Sequence, residues 1–321
     1  MYIGNVKIDN KALLAPMAGV ADTAFRLLCK EFGAALVYTE MASAKGLIMK
    51  NEKTNDIMSI KASERPVALQ LFGDEADTLK KAACIIQEKF KPDIIDLNFG
   101  CPAHKIAENG DGAALMKDPE KAAEIVRAVK SVCSVPLTVK FRRGWDDKSI
   151  NAVEFGMLMQ ACGAAAVAVH GRTKMQQYTG NATYDEIKEL KQRLSIPVIA
   201  NGDIFSAEKA KQVLDYTNAD MVMVARGAYG NPWIFAQINH YLSTGEKLAE
   251  PNIYEKMAVM LVHVEKLVEL KGEYLGMRQA RKHAAWYIKG INNSASYRRK
   301  LSTVEKYSEL YKIAEEILKN N

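Results

Sequence analysis

Residues 196–227 read IPVIANGDIFSAEKAKQVLDYTNADMVMVARG, two short apolar runs separated by an amphipathic stretch. The runs Val198–Ala200 and Met221–Ala225 are apolar at successive positions, which is typical of strands buried on both faces of a parallel sheet. The stretch between them predicts a helix over Ala207–Thr217, with Ser206 as its N-cap. A strand, a helix and a second strand in this order make one β–α unit.

The same alternation runs back to the N-terminus. Six further apolar runs predict strands at Ala12–Ala15, Ala35–Tyr38, Val67–Leu71, Ile94–Leu97, Leu137–Phe141 and Ala166–His170. The stretches between them predict helices at Thr23–Phe32, Glu75–Lys89, Pro119–Val132, Asn151–Cys162 and Tyr184–Arg193, with N-caps at Asp22, Asp74 and Asp118. Eight such units over about 235 residues predict a (β/α)8 TIM barrel. A doubly wound open sheet is the alternative, but its usual G-x-G-x-x-G turn is absent from the sequence.

The pattern changes after Trp233. From about residue 254 onward, helical periodicity replaces the β-branched runs, and the polar stretch 243–247 separates the two regions. We therefore predict a barrel domain over residues 1–240 and an all-helical domain over residues 245–321. Breaks in the helical domain are predicted at Gly272, Gly276 and Gly290.

The composition is that of a globular protein in a reducing compartment. The chain has 321 residues, 48% of them hydrophobic and 26% charged. It has neither an apolar run of roughly 20 residues nor an apolar signal core at its start, so we expect no membrane span and no secretion. The five cysteines are widely spaced, with no C-x-x-C pair, which argues against disulfides and a zinc site. We expect a cytoplasmic monomer that binds no metal.

Barrels of this type carry their chemistry at the C-terminal ends of the strands. Polar side chains or glycine turns follow nearly every predicted strand: Pro16, Met17 and Ala18; Glu40; Gln70; Asn98 and Cys101; Lys140 and Arg142; His170 and Arg172; Asn201, Gly202 and Asp203; Arg226 and Gly227. Buried polar groups without partners are costly, so this pattern predicts a ligand site. The glycine turns after the last two strands, with the cation of Arg226 beside them, are typical of a phosphate site.

Four side chains suggest what the rest of the ligand is. Gln70, Lys140 and His170 suit the edge of a planar heterocycle such as an isoalloxazine ring, although a structural ion pair is the alternative for Lys140. Cys101 lies directly after a strand, where a thiol can act as nucleophile, metal ligand or proton donor. Core packing is the better interpretation of the other cysteines, Cys29, Cys84, Cys133 and Cys162.

Ten segments in chain order carry a family resemblance. They are APMAGVADTAFR (15–26), TEM (39–41), QLFG (70–73), DLNFGCPAHK (96–105), GAALM (112–116), VKFRRGW (139–145), HGRT (170–173), IPVIANGDI (196–204), ARGAYGNPWIF (225–235) and RQARKHAAWY (278–287). These segments extend over essentially the whole chain, and through them the sequence resembles the tRNA-dihydrouridine synthase family, most closely its bacterial B-type branch. The N-x-G-C-P motif at 98–102 with Lys105 after it is the most specific of them. Departures are Phe99, Ile106 and Asp111, the last in a loop that would cover the target base.

The resemblance implies reduction of the C5=C6 bond of uridine in tRNA, with FMN as cofactor and NADPH or NADH as reductant. FMN gives hydride to C6, and Cys101 matches the family's donor of the proton to C5. The residues that would bind FMN are Pro16, Met17, Ala18, Gln70, Lys140, His170, Asn201, Gly202, Asp203, Ala225 and Arg226. Those expected to contact the tRNA substrate are Asn98, Lys105, Arg142, Arg172, Arg278, Arg281 and Lys282.

Charge in the helical region fits a tRNA partner. Residues 271–300 hold eight basic side chains and one acidic one, whereas the formal net charge of the whole chain is +6. At about 100° per residue, Arg278, Arg281, Lys282 and Lys289 share one helix face, which predicts salt-dependent contact with phosphates. An ordinary solvated helix face is the alternative interpretation.

Two other functions stay open on the sequence alone. One is an FMN barrel enzyme, similar to dihydroorotate dehydrogenase, that acts on a free pyrimidine and has no need of a basic tail. The other is an RNA-binding protein without catalysis. Comparing the turnover of free uracil or orotate with that of bulk tRNA tests the first alternative. A protein that is yellow when purified and is bleached by NADPH would argue against the second alternative.

Overall fold

The computed structural model describes residues 1–321, apart from the side chain of Lys53. Its strands are β1 Tyr2–Ile3, β2 Val6–Lys7, β3 Ala12–Leu14, β4 Val37–Tyr38, β5 Ala42–Ser43, β6 Val67–Phe72, β7 Ile94–Phe99, β8 Leu137–Arg142, β9 Ala166–His170, β10 Val198–Asn201 and β11 Met221–Val224. Its α-helices are α1 Thr23–Glu31, α2 Ala44–Ile48, α3 Glu52–Ile57, α4 Ala76–Lys89, α5 His104–Glu108, α6 Pro119–Lys130, α7 Ala152–Ala161, α8 Asp185–Arg193, α9 Ala207–Thr217, α10 Ile234–Thr244, α11 Ile253–Tyr287, α12 Ser294–Leu301 and α13 Tyr307–Asn320. Short 3-10 helices lie at Ala62–Glu64, Gly112–Lys117 and Arg226–Ala228.

Parallel strands close into a barrel. The order around the ring is β3, β4, β6, β7, β8, β9, β10 and β11, and β11 pairs with β3 to close it. The short strand β5 adds to β6 outside the ring, and β1 and β2 form an antiparallel hairpin. The predicted (β/α)8 barrel is therefore confirmed, and the doubly wound sheet is wrong. The eight strands of the ring are buried along almost their whole length, as their continuous apolar runs require.

Side-chain caps fix the starts of several helices. The oxygens of Asp22, Asp118 and Ser206 accept the backbone N–H three residues further on, in α1, α6 and α9. The predicted cap at Asp74 is wrong. Helix α4 is preceded by Glu75, without a side-chain cap, and the Asp74 carboxylate pairs with two lysines instead.

The helical region contains a sharp reversal. Gly272 has φ 75° and ψ 159°, a conformation open essentially to glycine alone, and it breaks α11 there. The two parts fold back on each other, so the rings of His263 and His283 lie 4.5 Å apart. The break predicted at Gly272 is confirmed. Gly276 lies inside the second part, where a Cβ would approach the Cα of Val268 to 2.8 Å, so the crossing of the two parts requires glycine.

This region packs on the barrel through α1 and the loop after β11. His283 lies 3.2 Å from the carboxylate of Asp22, and both side chains are buried. Gly230 has a positive φ of 61°, and a Cβ there would lie 2.5 Å from the carbonyl carbon of Trp286. A second hydrophobic core, distinct from the main core of the barrel, joins helices α11 to α13 to Ala24 and Leu28 of α1. Among the described residues, none of the helices combines the length and the apolar character that crossing a bilayer requires.

Candidate active site

A cavity of about 480 Å³ opens at the C-terminal ends of the barrel strands. Most of the residues predicted from strand ends line it: Pro16, Met17, Ala18, Asn98, Cys101, Lys140, Arg142, His170, Asn201, Ala225 and Arg226. A smaller cavity continues from it, with Gly202 and Asp203 in its wall. The barrel thus brings residues that are far apart in the sequence to one mouth.

A chain of hydrogen bonds beneath the cavity holds the loop that carries Cys101. Thr138 and Gln70 donate to the two carboxylate oxygens of Asp96, at 2.5 and 2.6 Å. Asn98 donates to the side-chain oxygen of Gln70 at 2.8 Å. The oxygen of Asn98 then accepts the backbone N–H of Cys101 at 2.8 Å and that of the residue before it. Each buried polar group in this chain has a partner, which fixes the loop conformation.

Strand register explains why Gln70 does not line the cavity. Gln70 pairs with Asp96 across β6 and β7, and Asn98 pairs with Lys140 across β7 and β8. Because side chains alternate along a strand, Asp96 and Asn98 point to the same side, with Asp96 one layer deeper. Gln70 is fully buried in that deeper layer. Gln70 bonds to Asn98, which does line the cavity, and its contact with a ligand stays a prediction.

Burial shifts the pKa values of titratable groups in the cavity wall and beneath it. Burial, with the neighbouring Arg142, lowers the pKa of Lys140 to about 8, although Asp96 acts in the opposite direction. Burial raises the pKa of Asp96 to about 6 despite its two hydrogen bonds. Burial and the nearby cations hold the pKa of His170 well below its usual value, so its imidazole is neutral at pH 7. Lys140 has no ion-pair partner in the part of the chain that the structure describes, so the alternative of a structural ion pair is not supported.

The thiol of Cys101 is half-buried in the cavity wall. Burial raises its pKa, and the N–H of Ala103 and the charges of Arg142 and Lys140 only partly offset this effect. The group is therefore a neutral S–H at pH 7, which suits a proton donor better than a thiolate nucleophile. Asp111, also half-buried nearby, has a pKa raised to about 6 by burial and by the carboxylate of Asp74.

The far end of the site is braced by an ion pair. Arg172 donates to both carboxylate oxygens of Asp203, at 2.8 and 2.7 Å, and to the carbonyls of Thr179 and Gly180. Burial opposes ionisation of Asp203, but these hydrogen bonds hold its pKa below the usual value. Arg172 is buried, does not line the cavity and holds the loop in this structure, and its contact with the substrate stays a prediction. Arg226, 3.0 Å from Asp203, remains in the cavity wall.

The two turn glycines are also required by the packing of the chain itself. A Cβ at Gly202, whose φ is 129°, would lie 2.7 Å from the Cβ of Ala182. A Cβ at Gly227 would lie 2.1 Å from the carbonyl oxygen of Ile204. Close packing of the chain therefore requires glycine at both positions, independently of any bound phosphate.

Sequence reasoning missed several residues of the wall. Tyr178 is 55% exposed and lies between two cations, its ring centre 4.8 Å from the guanidinium of Arg226 and 6.0 Å from that of Arg142. Gln177 and Tyr229 line the same cavity. The one sequence feature that could have identified Gln177 and Tyr178 is their position in the loop after β9, at the C-terminal ends of the barrel strands.

The predicted tRNA-contacting cations lie at several places. Lys282 reaches the rim of the barrel, where its ammonium donates to the carbonyl of Gly19. Arg281 donates to the carbonyl of Val304, and Arg278 is exposed. Lys105 is exposed on α5, close in sequence to the cavity wall but outside it. Helix α11 ends at residue 287, so the prediction that Lys289 shares its face is wrong.

The fold and the site define a class, a barrel enzyme with a cavity at its strand ends into which several polar side chains project. Residues 13–321 match the family model described as dihydrouridine synthase (Dus). The chain belongs to the dihydrouridine synthase family. It is 44% identical to tRNA-dihydrouridine synthase B of Shewanella oneidensis, over 98% of this chain and 97% of that protein. It is also 44% identical to the protein of that name from Vibrio vulnificus, over 95% and 94% of the two chains. These relatives place it in the bacterial B-type branch.

Distant solved structures share the barrel. Histamine dehydrogenase from Rhizobium sp. 4-9 is similar with a TM-score of 0.56 and 14% identity, over 83% of this chain and 50% of that one. The 6-hydroxypseudooxynicotine amine oxidase from Pseudomonas geniculata N1 is similar with a TM-score of 0.58 and 14% identity, over 75% and 49%. At this identity the likeness concerns the fold alone.

Proposed function

We propose that the protein is a flavin-dependent tRNA-dihydrouridine synthase, a cytoplasmic monomer that reduces the C5=C6 bond of specific uridines in tRNA with NADPH or NADH as reductant. The family membership and the curated relatives support this activity. The observation that carries it is the neutral thiol of Cys101 in the wall of a cavity at the strand ends. A free pyrimidine would not need the helical region that packs beside this cavity.

The cavity fits FMN by its donors. The ammonium of Lys140 has no ion-pair partner among the described residues and lines the wall, as the electron-rich N1–O2 edge of a flavin requires. Arg226 and the turn at Gly202 lie at the other end, where a phosphate would be bound. The other residues proposed to hold FMN are Pro16, Met17, Ala18, His170, Asn201, Asp203 and Ala225. When bound, FMN supplies the hydride that C6 of the base accepts.

The protein's own side chains complete the reduction. Charge builds up at C5 and O4 of the pyrimidine as C6 is reduced, and the S–H of Cys101 gives its proton to C5. Asn98 holds the backbone of Cys101 and also faces the cavity, where its amide can contact the base. Arg142, fixed by its bond of 2.8 Å to the carbonyl of Gly100, adds positive charge beside the same wall. These groups are in place before substrate arrives, which lowers the cost of reorganisation during reaction.

The target uridine must leave the folded tRNA to enter this cavity, at a cost of a few kcal/mol. We propose that residues 1–240 form the catalytic domain and residues 245–321 the tRNA-binding domain that offsets this cost. Helix α10 ends at residue 244, and helices α11 to α13 pack with α1 around a hydrophobic core distinct from the main core of the barrel. Lys282 supports the assignment, because it joins the helical region to the rim of the cavity.

We expect neutralising Arg278, Arg281 and Lys282 together, each to glutamine, to weaken tRNA binding about 10- to 100-fold at ~0.1 M salt. Each lost phosphate contact reduces the slope of log K against log salt by about 0.7 to 0.9. Filter binding over a salt series measures both quantities. Neutralising Lys80, Lys81 and Lys89 on α4 is the matched control, since α4 packs on α2 and α6 of the barrel. An unchanged slope in the first triple variant would show that this face does not bind tRNA.

The activity itself is tested in cells. We expect tRNA from cells that lack the gene to lose dihydrouridine at specific positions, and the gene in trans to restore it. Mapping of dihydrouridine in total tRNA measures this. Purified enzyme should reduce tRNA and leave free uracil and orotate unreacted. Turnover of the free pyrimidines alone would favour the dihydroorotate dehydrogenase-like function instead.

A further inference from the structure

A second cavity, of about 640 Å³, lies between the loop after β11 and the end of α11. We call it the interdomain cavity. It lies beside the active site, because Arg226 and Tyr229 belong to the walls of both. Its size is within the range of small-molecule sites, about 300 to 1,000 Å³. The glycine contact that packs the barrel loop on α11, at Gly230, is part of its wall.

Aromatic rings line this cavity. Tyr229 from the barrel and Trp286 from α11 are stacked with ring centres 4.1 Å apart and planes 14° from parallel. Trp233 adds a third ring to the wall, and Tyr229 and Trp286 are both only partly buried. Flat, partly accessible aromatic rings are the surfaces on which nucleic-acid bases stack without regard to sequence.

The charge of the cavity is positive. Arg226, Lys256 and Lys289 line it against one carboxylate, that of Glu250. Lys256 and Lys289 form no ion pair in the described part of the chain. Aromatic rings interleaved with unpaired cations are the pattern of a site for nucleotides, in which rings take the base and cations take the phosphate.

We propose that the interdomain cavity binds a nucleotide of the tRNA that lies next to the target uridine. This inference rests on the proposed function. The interdomain cavity shares Arg226 and Tyr229 with the active-site cavity and is bounded by Trp286 of α11, so a nucleotide bound in it would lie beside a base in the active site. Binding a neighbouring nucleotide here would help to hold the strand while its uridine is extruded. A dinucleotide reductant has the same base and phosphate chemistry, and the experiment separates the two.

The test reverses the charge of the two lysines. We expect the Lys256→Glu/Lys289→Glu double variant, loaded with FMN, to bind bulk tRNA from cells lacking the gene about tenfold more weakly, with a smaller salt slope. The Lys312→Glu/Lys319→Glu variant makes the same change in charge on α13, where both lysines are exposed, and is the control. KM for NADPH should stay within about twofold of the wild type.

A second measurement reports the stacking. Titration with tRNA should quench tryptophan emission in the wild type and in Trp145→Phe, but less in Trp286→Phe, which keeps an aromatic ring in the wall and leaves Trp233 as the only tryptophan there. The proposal is overturned if the two double variants lose tRNA affinity equally, or if KM for NADPH rises and tRNA affinity does not fall. Failure of the proposed function looks different, because the wild type itself would then form no dihydrouridine.

Discussion

Replacing Cys101 by alanine is expected to lower the turnover of tRNA about 10²- to 10⁴-fold, the usual contribution of a general acid. The thiol is held neutral by burial, and its loop is fixed by the bond from its N–H to Asn98. Alanine keeps that backbone bond and removes only the S–H. Reoxidation of the reduced flavin by tRNA in a single turnover measures the chemical step, and flavin absorbance measures how much FMN is bound.

The bound flavin distinguishes catalysis from structure. The Cys101→Ala variant should be purified yellow, with FMN content equal to that of the wild type. Cys84→Ala is the matched control, since Cys84 is exposed on α4, so its predicted place in the core is wrong, and it does not line the cavity. A colourless Cys101→Ala protein, or one as fast as Cys84→Ala, would contradict the role as proton donor.

The barrel and its mouth could be predicted because their signals are local. Each strand is a short apolar run, and the residue types that follow a strand are visible without knowledge of neighbouring strands. Strand ends of a parallel barrel meet at one face, so Lys140, His170 and Asn201 could be brought together from sequence alone. The positive charge of the helical region could also be predicted, because it follows from the residue types along the sequence.

Depth and pairing could not be predicted, because they depend on register between strands. The sequence did not indicate that Gln70 and Arg172 would be buried and bonded to other side chains, Asp96 and Asp203. A shift of one residue in register moves a side chain to the other face of the sheet, and a shift of two residues moves it by one layer along the barrel axis. The location of the interdomain cavity could not be predicted either. It depends on tertiary packing between Tyr229 and Trp286, which are 57 positions apart in the sequence.

Replacing Glu64 by alanine is expected to destabilise the fold strongly. Arg26 and Glu64 form an ion pair of 2.5 Å, with side chains 1% and 0% exposed. Arg26 also donates to the carbonyls of Ala21 and Ser59, so the pair ties the segment after β3, which lines the cavity, to the turn before β6. We expect Glu64→Ala to lower the free energy of unfolding by about 3–5 kcal/mol, because it leaves a buried guanidinium charge without its partner.

Urea unfolding followed by circular dichroism measures this loss, with Asp215→Ala as the control. Asp215 pairs with Lys211 at 2.8 Å on α9, but with side chains 62% and 46% exposed, so its removal should cost no more than about 0.5 kcal/mol. Glu64→Gln keeps the shape of the side chain and an acceptor for the N–H of Lys61, and should lie between the two. The length of the contact alone would predict similar losses for the two pairs, whereas burial predicts a difference of several kcal/mol. Equal losses in Glu64→Ala and Asp215→Ala would mean that the buried pair does not hold this wall of the cavity in place.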